Sequence, residues 1–263
     1  MALLLHVSDP HFGTERAEVV EALIALGRRL QPELVVLSGD ITQRARHAQF
    51  EAARRFVERL APRSLLAIPG NHDLPLYDLP RRLFAPYGRY RRAFGAELEP
   101  VYRSARLLAI GVNTTRPWRH VNGVVSPAQV RRVGAALRAA PPELLRVVVV
   151  HQPIAVLRDQ DAPDLLRGRD AALGHWAEAG AQLVLGGHIH LPYVAELPAA
   201  APHRWWAVQA GTAVSVRVRH EAGNSVNVLR RDDAGACAVE RWDYAAGSGG
   251  FERVEVQALP FLR

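Results

Sequence analysis

The stretch Ala67–Leu74, "AIPGNHDL", opens as the end of an apolar strand, stops at Pro69 and Gly70, and then presents an amide, an imidazole and a carboxylate in succession. Core packing does not ask for those three side chains at that point. Working outward, Leu3 to Val7 and Leu34 to Leu37 read as buried strands. Glu15 to Leu30 carries Val19, Val20, Leu23, Ile24 and Leu26 at helical spacing, and His47 to Leu60 forms a second helix before the strand Leu65 to Ile68. The resulting βαβαβ pattern predicts an α/β chain with parallel strands and right-handed crossovers.

Downstream, Pro75 to Phe94 is rich in Arg and Tyr and is expected to be helical in parts, with strands near Val101 and from Leu107 to Val112. Ser126 followed by Pro127 is an N-cap with proline at the first helical position, opening a helix to about Ala140. Strand Arg146 to Val150, helix Ala171 to Ala179 and strand Leu183 to Leu185 follow. From Tyr193 the character changes to strand after strand: Trp205 to Gln209, Ala213 to Arg219, Ser225 to Leu229, Cys237 to Tyr244 and Arg253 to Val256, separated by Gly-rich turns. No repeat or long linker divides the chain, so residues 1–263 are expected to form one domain.

Composition narrows the function classes. At 263 residues with 49% hydrophobic and 22% charged residues, the chain can bury a sizeable core. The net charge of +7 is carried by arginine, for there is no lysine. These arginines are dispersed rather than blocked, which argues against a nucleic-acid-binding tail. Cys237 is the single cysteine, which excludes an intrachain disulfide and a multi-cysteine zinc site and fits a cytoplasmic location. The short apolar start "MALLLHVSDP" lacks a basic flank and is not expected to be a signal peptide, and no stretch is long enough to cross a membrane. A monomer or a homodimer is expected.

Five short motifs fall where a predicted strand runs out: "SDPH" (Asp9, His11), "SGD" (Asp40), "PGNHD" (Asn71, His72), "VVVVHQP" (His151) and "LVLGGHIH" (His188, His190). Ligands of α/β sheets sit beyond the carboxyl ends of the strands, so all five are expected on one rim. Asp, Asn and neutral His are donors for borderline or hard divalent ions, and there are too many for one ion. Asp9/His11 and His188/His190 are i, i+2 pairs, which in extended chain point to the same side. Two imidazoles so placed can serve two neighbouring ions, with a carboxylate such as Asp40 between them. Gly39, Gly70, Gly186 and Gly187 allow the close backbone approach this needs.

In this order, the five motifs resemble those of the calcineurin-like metallophosphoesterases. The resemblance implies a four-layer αββα sandwich of two mixed β-sheets, with the strand-rich part from about residue 193 in the second sheet. It implies one metal held by Asp9, His11 and His190, another by Asn71, His151 and His188, Asp40 bridging, and His72 beside them as the catalytic acid. With no thiolate among these donors, Mn and/or Fe is expected, with Zn as the further option. "GDITQ" departs from the V-D-R-G continuation of serine/threonine protein phosphatases, whereas "NTTRPWRHVNGVVSPAQ" and "QAGTAVSVRVRHEAGNSVNV" are similar to bacterial class III cyclic-nucleotide phosphodiesterases. Gln152 stands where that group usually has a second histidine.

The expected activity is hydrolysis of a small phosphodiester, with cyclic nucleotides as one substrate class: a hydroxide between two ions attacks phosphorus in line while His72 protonates the leaving oxygen. A phosphomonoesterase, nuclease or pyrophosphatase of the same superfamily is the enzymatic alternative, and a noncatalytic nucleotide- or metal-binding module is the alternative from another class. Tyr77, Arg116, Trp118 and His120, with Arg81 and Arg82, are candidate substrate contacts, since aromatic and Arg side chains suit a base and a phosphate. Asp73 is a candidate to orient His72. His6, His175, His203 and His220 lack motif context and read as structural, and of the adjacent Trp205 and Trp206 one is expected in the core.

Overall fold

In the computed structural model, residues 2–198, 203–219 and 222–261 are described, so His220 lies outside them. The first half follows the βαβαβ expectation: β1 (Ala2–Val7), α1 (Ala17–Leu30), β2 (Leu34–Leu37), α2 (His47–Leu60) and β3 (Leu65–Ala67), the three strands parallel. Two short helices, α3 (Leu79–Phe84) and α4 (Gly88–Phe94), lead to β4 (Val101–Arg103) and β5 (Leu107–Gly111). Helix α5 (Pro127–Arg138) starts as expected, with the Ser126 hydroxyl accepting from the Gln129 N–H. Then come β6 (Leu145–Val149), α6 (Arg169–Glu178), β7 (Leu183–Gly186), β8 (Tyr193–Glu196), β9 (Trp206–Gln209), β10 (Ser225–Arg231), β11 (Cys237–Ala245) and β12 (Gly250–Ala258).

These strands form two mixed sheets, ordered β12-β11-β10-β1-β2-β3 and β4-β5-β6-β7-β9-β8. Three apolar cores fix the layering. Alternation along β1 sends Leu3, Leu5 and Val7 toward α1 and α2, and Leu4 to the opposite face. Leu4, Val36 and Leu66 of the first sheet meet Val147, Leu185 and Val208 of the second. The outer face of the second sheet packs on α5 and α6 through Ile110, Val148, Val184, Val133 and Trp176. The order is therefore helices, sheet, sheet, helices, the expected αββα sandwich.

Three details correct the sequence reading. The strand-rich part from about 193 does not stay in the second sheet: β8 and β9 belong to it, but β10 returns to pair antiparallel with β1 and carries β11 and β12 into the first sheet. Residues 213–219 form no strand, because they lie against the turn at residues 14–16, with Arg16 N–H donating to Val214 O and Val216 N–H to Thr14 O. Trp205 and Trp206 are both buried, one under the outer helices and one between the sheets, because the second sheet is covered on both faces. Among the described residues no helix is long and apolar enough to cross a membrane.

Candidate metal centre

Strand register brings the motifs together. Val7 lies beside Leu37 and Leu37 beside Ala67, so the first three parallel strands end level, and Val149 beside Leu185 does the same in the second sheet. The chain beyond each end is tied to its neighbour: Asp9 N–H donates to Gly39 O, His11 N–H to Asp40 O and Gly187 N–H to His151 O. His151 Nδ1 reaches Ser38 O at 2.9 Å, linking the rims of the two sheets. Gly70 and Gly187 show how close this approach is. A Cβ on Gly70 would meet the backbone N and Oδ1 of Asp40, and one on Gly187 would meet Ser8 Oγ and Asp9 Oδ2.

Side chains converge through an unusual backbone conformation. Asp9, His11, Asp40, His188 and His190 all have positive φ, from 44° for His11 to 75° for His188. The extended-chain argument for the i, i+2 pairs is thus replaced: left-handed turns, not strand alternation, aim these residues. Three overlapping groups result: Asp9, His11 and His190; His11, Asp40 and His72; and Asp40, His151 and His188, with the donor atoms of each group within 4.8 Å of one another. Asn71 joins the third, its Oδ1 lying 3.2 Å from His151 Nε2.

The donor set fits divalent ions. Bonds of about 2.0–2.2 Å at angles between 90° and 120° place ligand atoms roughly 3–3.8 Å apart. His190 Nε2 lies 3.3 Å from Asp9 Oδ1 and 3.0 Å from His11 Nε2, and His151 Nε2 lies 3.2 Å from Asp40 Oδ1. Asp9 Oδ1 and His188 Nδ1 are buried without a hydrogen-bond partner, which a cation would supply. The opposite nitrogens are held: His190 Nδ1 donates to Arg217 O at 2.6 Å, and His188 Nε2 faces Asp164 Oδ1 at 3.6 Å. The fold therefore gathers the side chains of the seven expected ligands and of His72 at one rim.

Behind them runs a buried chain that the sequence reading left as structural. His6 Nε2 contacts Ser38 Oγ at 2.8 Å, Ser38 Oγ donates to Ser8 Oγ at 2.7 Å, and Ser8 Oγ donates to Asp9 Oδ2 at 2.6 Å. Each hydroxyl uses its one proton toward Asp9, so His6 Nε2 is a donor. Burial takes the His6 pKa down to about 3, against the pull of Asp9. Burial also takes His11 down to about 3, opposed by Asp40 and Asp9. His151 behaves oppositely: burial lowers it, but Asp40 beside it carries the balance up to about 9. Burial raises the Asp40 carboxyl, and the surrounding histidines more than reverse this, leaving it well below the carboxylate range.

His72 falls in the group with His11 and Asp40, and its ring is also tied to chain outside that group. Its Nδ1 lies 2.8 Å from Gln43 O, its Nε2 is 4.0 Å from Asp40 Oδ2, and its N–H donates to Asp40 Oδ1 at 2.8 Å. Burial, with the charges of Arg217 and Arg44, lowers its pKa, while Asp40 and the Gln43 carbonyl act the other way. Asp73 does not orient the ring. Its carboxylate accepts from Gly70 N–H, Ile41 N–H, Thr42 N–H and the Thr42 hydroxyl, stitching the turns after β2 and β3 together. Burial and the Asp40 charge push that carboxyl up to about 7 despite those donors.

The candidate substrate contacts are dispersed. Tyr77, Trp118 and His120 are exposed, and the Arg44 guanidinium lies 5.9 Å from the Tyr77 ring centre. Arg82 joins their two segments by donating to the carbonyls of Pro75, Pro117 and Arg119. Arg81 pairs with Asp78 at 2.6 Å. Arg116 donates inward to Asn113 O, Thr115 O and Gln129 Oε1. Gln152, in place of a second histidine, is buried and accepts from the Thr114 hydroxyl at 2.6 Å while donating to Val121 O, so it anchors the loop bearing Trp118 and His120.

Comparison with known proteins places this geometry. The chain is 26% identical over 205 residues to a cAMP/cGMP dual specificity phosphodiesterase of Mycobacterium tuberculosis (strain CDC 1551 / Oshkosh), covering 72% of this chain and 61% of that protein. It is 38% identical over 84 residues to the glycerophosphodiester phosphodiesterase GpdQ of Enterobacter lignolyticus (strain SCF1), covering 27% of this chain and 29% of that protein. Both matches thus span less than two thirds of the relative. A dimetal phosphatase from Danio rerio shares the fold over 99% of each chain, with a TM-score of 0.66 and 12% identity. The family model for calcineurin-like phosphoesterases matches residues 2–192, which contain every ligand of the candidate centre, and the chain belongs to that family.

Proposed function

We propose that this metallophosphoesterase is a phosphodiesterase acting on small diesters, cyclic nucleotides among them, through two divalent ions. The observation that carries the reading is the position of Asp40, whose carboxylate is common to the His11 group and to the His151–His188 group. Asp9, His11 and His190 would hold one ion, Asn71, His151 and His188 the other, with Asp40 shared between the two groups. The oxygen- and imidazole-rich, thiol-free set suits Mn or Fe, with Zn also accommodated. When bound, such a pair supplies Lewis-acid activation of water and neutralises phosphoryl charge.

The chain's own residues do the rest. The Ser8–Ser38–His6 chain fixes the Asp9 carboxylate, and the Ser38 and Arg217 carbonyls fix the tautomers of His151 and His190, so the ligands meet substrate preorganised. His72, held by Gln43 O and the Asp40 carboxylate rather than sharing an ion, delivers a proton to the leaving oxygen, and the environment that lowers its pKa makes its imidazolium a stronger acid. Tyr77, Trp118 and His120 are exposed and available to a substrate, whereas Arg116, held by Asn113, Thr115 and Gln129, supports the loop that carries Trp118 and His120. Residues 1–263 act as one catalytic domain, at work in the cytoplasm as a monomer or homodimer on a small phosphodiester. The diester preference is supported by two relatives named for diester substrates and by "GDITQ" at the second motif.

The experiment compares bis(p-nitrophenyl) phosphate with p-nitrophenyl phosphate on Mn-loaded protein. A higher kcat/KM for the diester is expected. Preference for the monoester would replace the reading with a phosphomonoesterase, and stoichiometric metal binding with no turnover on either would leave a binding module.

A further inference from the structure

A charged side chain from outside the five motifs reaches across the rim. Arg217 lies on the segment that follows β9, tied to the site by Ala213 N–H donating to Ser8 O and by the Thr212 hydroxyl donating to Asp9 O at 2.6 Å. Its carbonyl accepts from His190 Nδ1. Its guanidinium turns back across the rim, where NH1 donates to Gln43 Oε1 at 3.2 Å and lies 3.3 Å from His72 Nε2. The proton on the opposite nitrogen of His72 is directed to Gln43 O, so Nε2 accepts from Arg217.

This is an unusual place for an arginine. It is half-buried, and among the described residues no carboxylate lies within ion-pair distance of its guanidinium. Its partners are a neutral amide and a neutral imidazole, which leave the charge uncompensated, and that charge depresses His72 by direct Coulomb repulsion. A surface arginine without a function ordinarily turns to solvent, where its charge is hydrated. Here the fork is held against the ring that faces the Asp40 carboxylate. A planar fork with an available charge matches the oxygens of a phosphate.

We propose that Arg217 is a substrate-contacting residue that binds a nonbridging oxygen of the phosphate under attack. On binding, it exchanges its contact with His72 Nε2 for one with the anion, which frees that nitrogen to take up a proton from solvent and present it to the leaving oxygen. The ligand class is therefore an anionic phosphoryl group presented between His72 and the ligands of the metal centre. This deepens the reading given above and rests on it for the identity of the reaction, but not for the anion site itself. The two roles of Arg217 are separable, because the carbonyl that holds His190 survives any side-chain replacement.

The test measures inorganic phosphate binding to Mn-loaded protein by calorimetry, and kcat and KM for bis(p-nitrophenyl) phosphate, in wild type, R217Q and R217K. R217Q is expected to keep its manganese and to lose about ten- to a hundredfold in phosphate affinity and in kcat/KM, the scale of one charge-assisted contact. R217K, which keeps the charge but not the fork, is expected between the two and serves as the measurement if R217Q does not fold. Phosphate affinity within twofold of wild type in both variants would overturn the proposal, as would loss of manganese from R217Q. If the wild type hydrolyses no ester while R217Q still loses phosphate affinity, the anion site stands and the diesterase reading falls.

Discussion

Replacing Asp40 by Asn tests the proposed bridge with an almost isosteric change. The two carboxylate oxygens have different surroundings: Oδ1 accepts from His72 N–H at 2.8 Å and lies 3.2 Å from His151 Nε2, whereas Oδ2 lies 3.8 Å from His11 Nε2. An asparagine must choose which end carries its carbonyl. With the oxygen at the Oδ1 position the backbone hydrogen bond from His72 survives. With the amide reversed, two donors oppose each other in a buried site, at a cost of about 1–3 kcal/mol, or roughly a five- to 150-fold bias toward the first arrangement. The NH2 group then points at the His11 side, where it cannot ligate a cation. Asp40→Asn is therefore expected to keep the ion held by Asn71, His151 and His188 and to lose the one held by Asp9, His11 and His190. Elemental analysis after Mn loading and desalting should fall from close to two ions per chain to close to one, and anomalous diffraction should locate the survivor on the Asn71 side. Two ions retained at wild-type affinity, or a survivor on the Asp9 side, would refute the reasoning.

Other outcomes are equally specific. His72→Ala should lose about 10²–10⁴-fold in rate against a ribose ester, the usual worth of a positioned acid, and distinctly less against a nitrophenyl ester, with both metals retained; equal losses would remove His72 from the acid role. Gly70→Ala, whose Cβ would meet Asp40, should lower stability by about 1–3 kcal/mol in urea titrations and weaken metal binding. His6 binds its proton near pH 3 when folded and near 6.5 when unfolded, so between those values the unfolded state carries more protons and stability rises with pH. That contribution is complete above 6.5 and is lost as pH falls through the window, amounting to roughly 5 kcal/mol. In chelator-treated protein, His6→Gln should flatten the stability–pH curve over that window by about one proton.

The parallel strands and the gathering of the candidate ligands were legible in the sequence because both are local signals: an apolar run that ends at a donor residue. What escaped depends on pairing across distant parts of the chain. Nothing near Ser225 announces that β10 will pair with β1, and "AVSVRVR" alternates like a strand but finds only a turn beside it. His6 sits inside β1 with no motif around it, and its part in holding Asp9 exists only because β2 brings Ser38 alongside. Gln43 and Arg217 reach the site from loops, and Asp164 from a short 3-10 helix, Asp159–Asp164, whose courses are set by tertiary packing. The one cue available for Arg217 was its place at the end of "AGTAVSVR", which spoke to family and not to position.

The left-handed backbone at five of the seven expected ligands gives the site a direction of decay. A non-glycine residue held in that region costs on the order of 1–3 kcal/mol, and glycine would occupy each of those positions without the penalty. Of all replacements at residues 9, 11, 40, 188 or 190, only glycine relieves that cost, and it removes the donor in the same change. Any other side chain keeps the cost and a β-branched one raises it, so at these five positions stability and affinity for a cation can be exchanged for one another through glycine alone.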